Sequence, residues 1–597
     1  MPEESGMHTL GRFALAAVAL LLASLVIAPA AGARKARAVQ VKREIVKVPE
    51  THAERKAETI TTPQLGKLTL DRIGIIKIRP KGERAPNVLV LEPGTSAAAA
   101  YFVPFASSLV DATHGWQVWA VERRENFLED QAEMTRYKFG ELPAELENEN
   151  TKKDENPPEQ FFNYYLGYLG QDQQEATEEV FVKYVLTGKL AEEVKEKYTV
   201  QIAEEAIKQA DQELAEHKIT SEELSTRIGE DAAAIGQKYG ERLAEQKGEA
   251  IFAELVAKYH NHYEPVPEPL VGFAKRWGMD RTVEDLKLVI EKAKAMGGKV
   301  VLGGHSLGGS VVTAYATWDF GGHPGAEGLS GLVYDDGGSS PLAMSKSEAE
   351  TALGKLDEPS ETPWLAFGGI PAPDLGLFSA TATALTTVEP DGPSQLEAFP
   401  FLPEDLKSPI KPVTNEAGYG YSVNVGTSPE SLIAAQIHGG TGVEETAEGD
   451  GLHGWNGTGA LTPVKRYAEM LAGTGLREAS GTEWYFPARL TLDTGAVGNG
   501  LANPAQEVLG LHSTMGEDLP KSLHILAIDS ELDKLLGGGG TTLTEAEALA
   551  AQSGIPNSNL TLIEEENTYA HNDPAGATPE INEFFKHMVP FLKELAE

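Results

Sequence analysis

A serine hydroxyl is a weak nucleophile at neutral pH, and it attacks a carbonyl only when a base lies beside it. The stretch Gly304-His305-Ser306-Leu307-Gly308 has the form Gly-x-Ser-x-Gly, with an apolar run on either side. Val300 to Leu302 read as a short buried strand, and Val311 to Thr317 as the body of a helix. Ser306 is therefore expected in a tight turn between strand and helix, where side chains at the flanking positions would strike neighbouring backbone and glycine does not. Such a turn lifts the hydroxyl above the sheet and aims the amide of Leu307 at the same point.

An activated serine needs an imidazole, and the imidazole needs a carboxylate that fixes its tautomer. In a parallel sheet such groups converge at the carboxyl ends of strands. Two strand ends downstream of Ser306 offer them. One is His524-Ile-Leu-Ala-Ile-Asp-Ser-Glu-Leu-Asp533; the other is Leu560 to Ile563, followed by Tyr569-Ala-His571-Asn-Asp-Pro574. His571 is the expected base. The acid is open among the aspartates at these strand ends.

The elements that must position these residues alternate. Strands are expected at 67–70 and 73–78, at Val88 to Leu91, at Gln117 to Val121, before the serine, at Gly331 to Tyr334, at Leu523 to Ile528 and at Leu560 to Ile563. Helices are expected near 98–110, from Thr282 to Ala295 with Thr282 as N-cap and Asp285 in the first turn, and from Ile581 to Leu595. Two long stretches interrupt the alternation. Residues 140–278 are rich in Ala, Glu, Lys and Gln, carry helical patterns at Val194 to Glu216 and Glu230 to Tyr259, and begin with an aromatic island at Phe161, Phe162, Tyr164, Tyr165 and Tyr168. Residues 341–520 are rich in Gly, Pro and Thr and show no repeat.

The order Ser306, acid, His571 on alternating strands resembles the α/β-hydrolase superfamily, in particular its lipase- and esterase-like serine hydrolases. Ala570-His571-Asn572-Asp573 is similar to the family's histidine loop, and Ala527-Ile-Asp-Ser-Glu-Leu-Asp533 to its acid loop, so the resemblance implies Asp533 as the preferred acid, with Asp529 as an alternative and Asp335 or Asp336 where the acid follows the strand before. The resemblance covers roughly 60–135, 280–340 and 520–597. It implies an α/β fold: a doubly wound, mostly parallel sheet with two large cap insertions, the first mainly α-helical. It also implies hydrolysis of carboxylic esters through an acyl-enzyme, without a cofactor. Members commonly read His-Gly in the loop after the first parallel strand; this chain reads Leu91-Glu92-Pro93-Gly94-Thr95-Ser96. By position, the amide of Thr95 would pair with that of Leu307 as the oxyanion hole. Phe161, Phe162 and Tyr165 are expected to line the substrate pocket, or else to form the cap's own core. The same triad could serve a peptidase or amidase, and a binding protein could keep the fold without catalysis.

Composition narrows the partners. The chain of 597 residues carries 89 acidic and 51 basic residues and a net charge of -38, which repels nucleic-acid phosphates. A small-molecule or lipid-like ester is the expected partner. There is no cysteine, so disulfides and thiolate chemistry are excluded. His260 and His262 form a pair without a third ligand, and no metal is expected. Phe13 to Ala33 is almost wholly apolar and closes on Ala28-Pro-Ala30 and Ala31-Gly-Ala33. It reads as a signal peptide over 1–33 that sends the protein out of the cytoplasm, with a membrane anchor over 13–33 as the alternative. Residues 34–60 read as a spacer. The core then runs over 61–139, 279–340 and 521–597.

Overall fold

Val88 to Val90, Val300 to Leu302, Leu332 to Tyr334 and Ile525 to Ile528 have no more than 1% of their surface exposed, as strands covered on both faces must. The computed structural model describes residues 39–49, 58–62, 65–140, 157–166, 263, 265–339, 343–367, 370–398, 402–446, 451–532 and 541–597. The expected signal peptide, the helical patterns at 194–216 and 230–259, and Asp533 lie outside them.

Eight strands form one sheet: β1 Val39–Lys47, β2 Arg72–Pro80, β3 Asn87–Glu92, β4 Trp116–Glu122, β5 Val300–His305, β6 Gly331–Asp335, β7 His524–Ile528 and β8 Leu560–Ile563. Their order across the sheet is β1-β2-β4-β3-β5-β6-β7-β8. β1, β2 and β4 pair antiparallel; every pairing from β4 onward is parallel. Helices α1 Val103–Ala112, α2 Met279–Lys294, α3 Leu307–Ala316 and α5 Glu583–Ala596 cover the sheet's two faces, while α4 Ala372–Val388 belongs to the second insertion. Phe105 of α1 stacks on Phe584 of α5 at 5.5 Å, and Trp116 of β4 donates its indole N–H to Leu592 O of α5 at 2.8 Å. This is the doubly wound α/β sheet expected from the alternation.

Three local expectations change. Val39–Lys47, read as spacer, is the edge strand of the sheet. Its Lys and Arg residues hid it, yet edge strands favour charge because charge blocks further pairing. Arg43 is the exception that pairs inward, with Nε 2.8 Å from Glu122 Oε2. Residues 66–69 pair with 59–62 in a separate hairpin instead of joining the sheet. α2 begins at Met279, so Thr282 is not the cap. Asp285 therefore falls in the second turn, buried against the Arg124 guanidinium at 2.7 Å.

The regular structure of the second insertion is mainly helical. Its α4 packs on the helix Ala132–Lys138, at the end of the core's first part, and on Pro157–Leu166 of the first insertion. The two insertions also meet where the hydroxyls of Tyr263 and Tyr485 are 2.8 Å apart.

Helix α3 lies very close to the sheet. A Cβ on Gly309 would sit 2.2 Å from Gly337 O. Gly354, on the exposed helix Lys346–Leu356, has nothing within 4 Å of such a Cβ. Denaturant unfolding should therefore separate the two: Gly309→Ala loses about 1–3 kcal/mol through overpacking, and Gly354→Ala gains about 0.5–1 kcal/mol from reduced chain entropy. Equal effects would show that the close approach carries no constraint.

Candidate active site

Ser306 has φ 55° and ψ -128°, a conformation that non-glycine residues rarely adopt. Neighbouring glycines make it sterically feasible. A Cβ on Gly304 would lie 2.2 Å from Gly308 O, one on Gly308 2.2 Å from Glu92 O, and one on Gly337 1.9 Å from Ser306 O. The Ser306 amide donates to Asp335 O at 3.0 Å, which fixes the turn to the end of β6. The serine itself is half-buried, whereas His571 is 2% exposed.

The carboxylate that holds His571 is Asp336. Its Oδ2 accepts from the His571 ring at Nδ1 and from the Ser530 hydroxyl. This corrects the preference for Asp533. β6 lies beside β5, so the first residue past its end faces the serine turn from one strand away. The neighbouring strand end, past β7, contributes Ser530. Asp529 is engaged elsewhere, accepting from the Glu565 amide at 2.6 Å. Asp336 has φ 44° and is 1% exposed; burial pushes its carboxyl up to about 7, against the Ser530 hydroxyl, which pulls it down. Asp335, beside it, is pushed up as well, first by burial and then by Asp336.

His571 is presented by a loop tied on several sides. His305 Nε2 lies 3.0 Å from His571 O, and the two rings are 4.5 Å apart. Burial pushes the imidazole of His305 down to about 3, so it is neutral and donates from Nε2. Asn572 donates to Ala434 O and Gln436 O, both at 3.1 Å, and accepts from the Tyr101 hydroxyl. Asp573 is fully buried and accepts from the Ala570 amide at 2.8 Å, the Thr462 hydroxyl at 2.7 Å and the His438 ring at 2.7 Å. The hydrogen bond to Asp573 raises the pKa of His438. That stabilisation is present below the unfolded value and is lost as pH rises through the raised one.

The loop after β3 reaches the serine from the other side. A Cβ on Gly94 would fall 2.7 Å from the Ser306 Cβ, so only glycine fits there. Among the described residues, neither the Thr95 nor the Leu307 amide donates to a protein acceptor. Both expected oxyanion donors are thus present as free N–H groups; the Ser96 amide is also free.

Phe161, Phe162 and Tyr165 are 2%, 9% and 0% exposed. Phe161 stacks on Tyr137 at 4.1 Å, and Tyr165 packs edge-on against Trp484 at 5.9 Å while its hydroxyl accepts from the Met134 amide at 2.7 Å. These are packing contacts in the core shared by the insertions, which favours the core alternative over a pocket lining. Among the described residues no group of three His, Asp or Glu side chains could hold a metal ion, and His260 and His262 lie outside them. Ser530, His438 and Asp573 were missed from sequence. Only Asp573, two residues past His571 in a Pro-containing loop, carried a local signal.

Replacing Asp573 by Asn would set an amide against donors that now meet a carboxylate. Stability in denaturant should fall by about 3 kcal/mol, and amides 569–573 should lose protection from hydrogen exchange. An unchanged midpoint would show that the histidine loop does not depend on this brace.

No protein-family model matches the sequence, and no curated protein matches it. Among solved structures, the chain is similar to a soluble variant of monoglyceride lipase from Saccharomyces cerevisiae, at 12% identity over 92% of this chain and 97% of that one, with a TM-score of 0.29. It is also similar to MenH from S. aureus, at 11% identity over 88% and 99% and a TM-score of 0.29. A third is the siderophore hydrolase EstB from Aspergillus fumigatus, at 11% over 92% and 100% and a TM-score of 0.21. With its strand order, its serine in a left-handed turn between β5 and α3, and its histidine in the loop after β8, this chain has the α/β-hydrolase fold.

Proposed function

We propose that the protein is an exported serine hydrolase that cleaves carboxylic esters through an acyl-enzyme. The observation that carries this reading is the hydrogen bond of His571 Nδ1 to buried Asp336, presented beside a serine held at positive φ. Ser306 Oγ attacks the ester carbonyl as the imidazole of His571 takes its proton at Nε2. The carbonyl oxygen becomes an alkoxide and is met by the free amides of Thr95 and Leu307. Collapse expels the alcohol, which leaves with the proton from His571. Water, deprotonated by the same imidazole, then attacks the acyl-enzyme and releases the acid. Asp336 holds the ring in the required tautomer and stabilises the imidazolium.

Export is supported by the apolar run at 13–33 and its small-residue end. A cap role for the insertions is supported by the second one's hydrogen bonds to both catalytic loops, through Gln436 to Asn572 and through the Glu483 amide to Ser96 O at 2.9 Å.

Ser306→Ala should abolish hydrolysis of a short p-nitrophenyl ester and labelling by a fluorophosphonate while thermal stability hardly changes. Asp336→Asn should lower kcat about 10⁴-fold through the wrong tautomer. A peptidase would label equally but would also cleave a peptide-amide panel that an esterase leaves intact. A binding protein would not label, and either result would overturn the ester reading.

The pH profile tests the Asp336 environment. Activity requires the Asp336–His571 couple with a single shared proton, so it should fall in acid as the couple takes up a second. The Ser530 hydroxyl stabilises the carboxylate. Removing it makes the couple more basic, so Ser530→Ala should move the acid limb of kcat/KM upward by about one pH unit. A limb that stays put or moves down would exclude that role.

A further inference from the structure

Arg123 is the first residue past β4, and its side chain is 4% exposed. Its guanidinium converges on the loop that follows β3. Nη1 donates to Pro93 O at 2.8 Å, and Nη2 donates to Gly94 O and Ala97 O, both at 3.0 Å. The cation is held from outside by Glu483 of the second insertion, with Nη2 to Oε2 at 2.5 Å, and by Glu125 Oε1 at 3.2 Å. The Glu92 carboxyl lies 3.7 Å from Nη1. Three carbonyls of one five-residue segment on a single guanidinium exceed what packing requires, and only the planar fork of arginine can serve them together.

The geometry has a chemical consequence. A trans peptide is planar, with its C=O and N–H on opposite sides. Pinning Gly94 O to Arg123 therefore turns the Thr95 N–H away from the guanidinium. Gly94 is also the residue in closest approach to Ser306, and the Thr95 amide has no protein acceptor. A cation on the carbonyl oxygen draws electron density through the peptide and makes its N–H a stronger donor, an effect enlarged where water is excluded.

We propose that Arg123 is a positioning residue that aims and polarises the Thr95 amide toward the alkoxide formed on the substrate. The proposal rests on the reading of Ser306 as nucleophile. It assigns to the second insertion, through Glu483, a share in setting the oxyanion site.

The test uses the full chain, a p-nitrophenyl ester, and phenylboronic acid as the probe of tetrahedral binding at Ser306. Removing one oxyanion donor outright lowers kcat about 10²–10³-fold. Loosening its aim should cost less, so Arg123→Lys should lower kcat about 10–100-fold with KM nearly unmoved. Affinity for phenylboronic acid should fall by the same factor, and Arg123→Gln should lose more than Arg123→Lys. A merely structural role would not make kcat and boronate affinity fall together at constant KM. The proposal is overturned by a folded Arg123→Lys or Arg123→Gln chain with unchanged kcat, or with a lower kcat and unchanged boronate affinity. Should neither fold, Glu483→Gln keeps the side-chain volume and frees the guanidinium's outer edge. It should lower kcat about threefold to tenfold in step with boronate affinity, and an unchanged kcat there also overturns the proposal. The underlying reading fails separately: an unmodified chain that neither hydrolyses the ester nor labels at Ser306 removes the nucleophile itself.

Discussion

The structure depends on one strained residue. Holding Ser306 at φ 55° costs about 1–3 kcal/mol, and the cost is met only because everything around the turn is rigid. β5 on its amino side is buried along its whole length, and α3 on its carboxyl side has no exposed residue. The glycines then bring three backbones within contact of one another: the end of β3 through Gly94 and Gly308, the end of β6 through Gly309 and Gly337, and the turn itself through Gly304. A side chain at any of these positions would push the strand ends apart. The same glycines thus set the distance between the serine and the groups on β3 and β6.

The carboxylate that holds His571 follows β6, the strand next to the serine's own. The residue after β6 is one strand spacing from the serine; a residue after β7 is two. With Ser306 N bonded to Asp335 O and Asp336 N bonded to Ile528 O, the three strand ends are laced in sequence, and Asp336 falls between the serine turn and the β7 loop. Ser530 on that loop then supports the carboxylate from behind. One carboxyl oxygen, Oδ2, receives both donors, while Oδ1 is buried without a partner among the described residues. Burial of this kind makes the carboxylate a strong base, and a strong base next to an imidazole is what stabilises its protonated form.

Much of this was legible in the sequence. Gly-x-Ser-x-Gly between an apolar strand and a helix located Ser306, because the turn needs glycine at fixed offsets and nothing else in the chain supplies them. Ala570-His571-Asn-Asp after a short strand located the base. The acid was not fixed, because Asp335, Asp336, Asp529 and Asp533 all follow predicted strands, and their distance from the histidine is a property of strand order across the sheet. Periodicity along the chain carries no information on that order. β1 was missed for a related reason: its alternation is carried by charged residues suited to an edge. The aromatic island illustrates a third limit. Phe161 and Tyr165 have the composition of a pocket lining or of a core, and only their contacts with Tyr137 and Trp484 separate the two.

The buried charge at the sheet's carboxyl edge follows from the insertions. Arg123 and Arg124 leave β4 side by side and turn to different partners: Arg123 to Glu483 and the loop after β3, Arg124 to Asp285 on α2 with Glu58 beside it. Desolvating two guanidiniums is expensive, and hydrophobic residues of similar size would often give a more stable protein. What the ionic arrangement adds is direction. Each guanidinium fixes several oxygens at once, and those on Arg123 belong to the loop that bears Thr95. The second insertion supplies Glu483 to that loop and His438 and Thr462 to the histidine loop through Asp573. It therefore braces both loops of the site, and its contacts make the geometry around Ser306 depend on residues far from it in sequence.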